Sequence, residues 1–233
     1  MVNTMYCLEN TFDIAHMQQG QTTRVVFEAT YTPNALSSGT DKTFFMLGNH
    51  TEIYTKETLT AMIKAKAQEV FNENDANNVT VELGSIATKA GLHTLQGKEA
   101  TIKHDGTDAT DAQLKQIDEK LGLGKDANGN TESIKTYLEG KCYYIARIRH
   151  FNNSQTPWNS GEETYGNNNE KYLGRYGILR NNWYDMTVDK ISAPGYPDIP
   201  EIKPTTPDDE DTKYISVSVK ILDWAKRSQS VEL

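Results

Sequence analysis

Five of the chain's seven prolines, Pro194, Pro197, Pro200, Pro204 and Pro207, fall within fourteen residues, and a strictly alternating segment follows them. Proline fixes its own φ and carries no N–H, so a stretch this dense in it can be neither a helix nor a central strand. It should run extended and solvated, at ~3 Å per residue where it is polyproline-like. The acidic run Asp208 to Asp211 keeps its far end in water. Beyond it, Ile215, Val217, Val219 and Ile221 alternate with Tyr214, Ser216, Ser218 and Lys220, followed by Trp224. A strand with one strongly apolar face must bury that face. Because it hangs on a tether, two readings stand open. It folds back as an edge strand, or it adds to a sheet of another molecule.

The rest of the chain reads as strands, then helices, then strands. From Arg24 to Thr32, Val25, Phe27, Ala29 and Tyr31 point one way and the polar residues the other, the period of a half-buried strand. Met5 to Asn10 predicts a shorter strand, and Thr43 to Leu47 with Glu52 to Thr55 a pair across the Gly48-Asn49 turn. Thr55 can cap a helix whose apolar positions are Leu59, Ile63, Ala67, Val70 and Phe71. A second helix runs from about Asp111 to Leu121, with Thr110 and Gln113 as its capping box and Gly122 as its stop. A third helical turn is expected around Ser133 to Leu138, and His104-Asp105-Gly106 marks a turn. Strands return at Lys141 to Phe151, Tyr172 to Ile178 and Trp183 to Ile191, with Tyr184, Met186 and Val188 on one face of the last. This order favours an antiparallel β-sandwich over alternating βα units. The divisions expected are a β-sandwich domain over 1–193 with a helical insertion at about 56–140, a linker over 194–211 and a strand segment over 212–233.

A formal net charge of −8 with no cluster of Lys or Arg argues against a nucleic-acid partner. None of the five histidines sits in a metalloprotease motif, and no nucleophile elbow or phosphate loop is present, so neither an enzyme nor a cofactor or metal site is expected. Asp126, Asn128 and Asn130 alternate as in a calcium loop, but Thr131 stands at the glycine position and Tyr137 at the late glutamate. Cys7 and Cys142 could form one bridge or remain thiols. Trp158, Tyr165 and Tyr172, set among many Asn, would suit a sugar-binding surface.

Tyr176 to Ile191, YGILRNNWYDMTVDKI, resembles the signature of the Bacteroidales fimbrillin C-terminal family, the shaft subunits of short fimbriae or type V pili. The Gly174-Arg175 lead-in, the proline linker, the acidic patch, the tail Trp224 to Gln229 and Tyr6 to Thr11 carry the same resemblance. It implies a transthyretin-like β-sandwich in an exported lipoprotein precursor with two such domains. In this family an arginine-specific protease removes an N-terminal strand, and the C-terminal strand of an adjoining subunit fills the opened groove. Carried onto this chain, the donor strand is Ile215, Val217, Val219, Ile221 and Trp224, and the partners are neighbouring subunits, including anchor and tip subunits. A host or bacterial surface receptor is a further partner in the alternative reading, a host- or glycan-binding adhesin module. With no signal peptide or lipobox cysteine at its front, the sequence is expected to be a fragment of the precursor, located on an extracellular fimbria of the outer membrane.

Overall fold

The computed structural model describes residues 4–13, 16–125, 131–151, 176–202, 204–205 and 215–223. The chain divides into two compact units. One is Glu28–Tyr143 with Tyr196–Asp198, and the other holds Met1–Phe27, Tyr144–Gly195 and Ile199–Leu233. The architecture is mainly β, with antiparallel pairing and two α-helices. No helix among the described residues is long and apolar enough to cross a membrane.

Strand β1 (Arg24–Thr30) shows the expected alternation, with Val25, Phe27 and Ala29 half-buried and Glu28 and Thr30 exposed. In the Glu28–Tyr143 unit, β2 (Phe44–Leu47) meets Tyr54 in a single bridge to Phe45, so the predicted partner at Glu52 to Thr55 shrinks to one residue. Helix α1 (Lys56–Phe71) begins at Thr55, whose hydroxyl accepts from the Thr58 N–H while Thr58 Oγ1 accepts from the Thr55 N–H. It ends where Asn72 turns left-handed at φ 55°. Leu59, Ile63 and Ala67 are its buried stripe, one turn apart.

The middle of the chain holds more strand than its residues suggested. β3 (Val79–Glu82), β4 (Gly91–His93), β5 (Thr101–His104) and β6 (Thr107–Asp108) precede helix α2 (Asp111–Lys120). After the short pair β7 (Gly124–Lys125) and β8 (Thr131–Glu132) comes β9 (Ile134–Tyr137), where a helical turn was expected. The reason is tertiary. β9 is the central strand of the sheet β2-β9-β4, and Ile134, Thr136 and Tyr137 are buried there. Tyr137 stacks on Phe44 at 4.4 Å and the Thr136 hydroxyl donates to the Ile86 carbonyl at 2.8 Å. A second sheet has the order β3-β5-β6. Phe45, Leu59, Ile63, Val79, Leu95, Ile102, Leu114, Ile117 and Ile134 close one hydrophobic core.

Helix α2 has the expected capping box, with Thr110 Oγ1 accepting from the Gln113 N–H and Gln113 Oε1 accepting from the Thr110 N–H. Gly122 follows it at φ +72°. Thr110→Ala removes that cap and is expected to cost about 0.5–2 kcal/mol, read as a lower urea midpoint with an unchanged m-value.

In the other unit, β10 (Lys141–Arg147) enters from its neighbour and continues the same alternation, with Tyr144, Ala146 and the following Ile148 buried. β10 pairs with β1. Met17, Tyr176 and Ile178 complete the described core of this unit, and the Tyr144 hydroxyl donates to the Ala193 carbonyl at 3.0 Å. Met5 to Asn10, expected as a strand, makes a single β-bridge, between Asn10 and Ile178. Tyr6 and Leu8 lie largely in solvent, so this segment has no sheet to bury an apolar face against.

Candidate assembly surface

Two strands carry the surface: β11 (Asn182–Ile191) and β12 (Ile215–Asp223). They form an antiparallel ribbon in which Tyr184 faces Ile221, Met186 faces Val219, Val188 faces Val217 and Ile191 faces Ile215. The register shifts between Val188 and Lys190, a bulge of one residue at Asp189. Directly opposed residues of an antiparallel pair share a face. The register therefore aligns four of the expected donor positions with the apolar positions of β11. Trp224, the fifth, lies outside the described residues. So do Trp158, Tyr165 and Tyr172, behind the sugar-binding reading, and the acidic run Asp208 to Asp211 of the linker.

The ladder holds the two strands together, and burial shows what the ribbon lacks. Among the described residues it is two strands wide, so one edge of β12 meets no further strand. Val188, Ile191, Ile221 and Leu222 are all exposed. A two-stranded ribbon is marginal in water unless something covers its apolar face.

The start of β11 is more firmly built. The tight turn at Arg180-Asn181 puts Asn181 at φ 61°, a left-handed conformation that asparagine tolerates. The Asn182 side-chain amide donates to the Leu179 and Arg180 carbonyls at 3.4 and 3.1 Å. The Tyr184 hydroxyl accepts from the Leu179 N–H at 2.9 Å and lies 2.8 Å from His150 Nδ1. With the hydroxyl assigned as the donor to the imidazole, both lone demands are met. Burial holds the His150 imidazole below its ordinary range and pushes the Tyr184 phenol up. Arg180 Nε and Nη2 both reach Glu9 Oε2 at 2.8 Å, and that pairing holds the Glu9 carboxyl below the usual carboxylate range. The pair is exposed, so it orients the N-terminal segment without adding much stability. A cavity of about 310 Å³ lies between that segment and the turn, reached by Tyr6, Cys7, Ile178 and Trp183.

Several of these contacts could not be found in the residues alone. His150 and Tyr184 are 34 positions apart, and Glu9 and Arg180 are 171 apart. The match between β11 and β12 did leave a signal, two alternating segments of similar length either side of a proline run. Cys7 and Cys142, the two residues that could have bridged, are not joined by a disulfide; Cys7 is exposed and Cys142 buried. The Cys142 thiol donates to the Gly140 carbonyl at 3.6 Å.

No curated protein matches the chain. Over residues 135–230, a span that takes in β10, β11 and β12 and leaves out both α-helices, the chain matches the model of the fimbrillin C-terminal family, described as major fimbrial subunit protein type IV, the family that its RNNWY block and tail resemble.

Proposed function

We propose that this chain is the C-terminal part of a fimbrial shaft subunit, and that β12 is the strand it lends to a neighbouring subunit. The role is structural, not enzymatic. The observation that carries the reading is the ribbon itself. β12 is an apolar strand that follows a proline-rich segment, its described partner is β11, and exposed apolar side chains remain on the ribbon. The start of that segment is not the solvated tether its prolines predicted, because Tyr196 bridges to Tyr143 and Gly195 and Pro197 are buried. The family match supports the fimbrial setting.

In this reading β12 has two alternative beds, β11 of its own chain and the groove of an adjoining copy. A groove supplies backbone partners on both edges and pockets for alternate side chains, so it buries more than β11 can. Each fully buried Val or Ile contributes roughly 1.5–3 kcal/mol before the costs of ordering and association. Head-to-tail donation is heterologous and does not close on itself, so copies build a filament, with anchor and tip subunits at its ends. The sandwich is of transthyretin-like type, and the filament stands on the outer membrane after export of a lipoprotein precursor.

A reversible lock tests the release of β12. Met186 and Val219 are directly opposed, a spacing that a disulfide can span. Met186→Cys with Val219→Cys, in a Cys7→Ser background of the full-length, protease-processed subunit, ties β12 to β11 when oxidised. Oxidised protein is expected to stay monomeric and to polymerise once reduced, as seen by electron microscopy. Polymerisation of the oxidised form at the untreated rate would sink the proposal.

A further inference from the structure

The end of α1 and the turn between β5 and β6 bring three metal-ligating side chains to one point. Glu73, His104 and Asp105 each offer one ligand atom, and the three atoms lie within 4.8 Å of one another. His104 Nε2 is 3.0 Å from Glu73 Oε2 and 3.6 Å from Asp105 Oδ2. Zinc takes nitrogen and carboxylate oxygen at ~2.0–2.2 Å in a tetrahedral arrangement, which places neighbouring ligand atoms about 3.4 Å apart. The two measured separations bracket that value. We propose that Glu73, His104 and Asp105 form a binding site for a divalent transition-metal ion of the zinc class, which clamps the C-terminal end of α1 to the β5–β6 turn.

Each ligand is held in place by something other than the other two. The His104 ring lies flat on Phe71, with centroids 4.9 Å apart and planes 7° from parallel, which sets the direction of Nε2. Glu73 Oε1 accepts from the Asp75 N–H at 2.8 Å, and Oε2 from the Asn78 amide at 3.2 Å. These bonds orient the carboxylate as outer-shell partners orient metal ligands. Asp105 sits at φ 49° and Gly106 at φ 75°, a tight turn that brings Asp105 back beside His104.

The donor set selects among cations. One imidazole nitrogen with two carboxylate oxygens suits zinc, and calcium or magnesium would call for an all-oxygen shell. With the ion at Nε2, the neutral ring carries its proton on Nδ1. Three protein ligands leave a fourth position open for water. The site shares no residue with β12, so strand donation and metal binding stand or fall separately.

Zinc titration of the whole chain, followed by calorimetry, is expected to show one ion per chain. At a hundred times the dissociation constant, zinc should raise Tm by roughly 5–10 °C, and calcium at the same concentration should leave it unchanged. Glu73→Gln and His104→Gln should each weaken zinc at least ~10-fold while melting near the wild-type temperature in chelator. Nitrogen-15 spectra of the histidine rings give a reading on the unmutated chain, where saturating zinc should move the His104 Nε2 signal. An unmoved His104 signal at saturation overturns the proposal. So does zinc affinity that is equal in wild type and both variants, which would place the ion elsewhere.

Discussion

Val217→Asp is expected to abolish polymer formation while leaving the monomer folded. In the ribbon, position 217 faces Val188, which is 38% exposed. A carboxylate opposite a half-wet neighbour keeps much of its hydration, so the monomer loses little. If β12 fills a neighbour's groove as proposed, a carboxylate at the same position would be buried in the joint. The effective penalty for an unpaired buried charge is several kcal/mol, and each ~1.4 kcal/mol weakens the joint tenfold. Ser218→Asp is the control. Position 218 faces the exposed Thr187 on the opposite side of the ribbon, so this variant should assemble. Polymer yield in the processed full-length subunit and the monomer's Tm are the two measurements. Normal assembly of Val217→Asp, or unfolding of its monomer, would return β12 to the role of an ordinary strand of its own domain.

Asp118→Ala is expected to cost the other unit about 2–4 kcal/mol, more than any cap or surface pair in it. Asp118 lies in α2 and is almost wholly buried. Its Oδ1 accepts from the Leu95 N–H at 3.1 Å, and its Oδ2 from the Gln96 N–H and side-chain amide at 3.2 and 3.3 Å. Alanine leaves those backbone donors without their acceptor, at ~1–3 kcal/mol for each buried group. Asp118→Asn keeps one acceptor and should cost less. Burial pushes the Asp118 carboxyl up, with the three hydrogen bonds opposing that shift. A folded-state value above the unfolded one means that the group favours the fold most below its unfolded range. That contribution is lost as pH rises through the folded value. Urea titrations at several pH values should show this loss in wild type and not in Asp118→Asn.

What could be read from the chain was whatever local periodicity and capping dictate. Thr55 and Thr110 start helices, Asn72 and Gly122 end them, and each stripe is written at helical spacing. β1 and β12 alternate so regularly that their faces could be assigned before any partner was known. The RNNWY block marked the start of β11 and pointed to the family that residues 135–230 match. These features depend on neighbours within a turn or a few residues, where the physics is local.

Only the tertiary structure decided the rest. Ile134 to Tyr137 carries a pattern too short to choose between turn and strand, and it became a strand because Phe44 to Leu47 and Gly91 to His93 pair with it on both sides. Glu73 and His104 meet across 31 residues, a juxtaposition that no spacing motif encodes. The alternation from Ile215 to Ile221 by itself states that one face must be covered, and says nothing of what covers it. Apolar burial has no direction and backbone hydrogen bonds are the same at every residue, so the partner of a strand is set by which edge lies within reach. Within this chain that edge is β11.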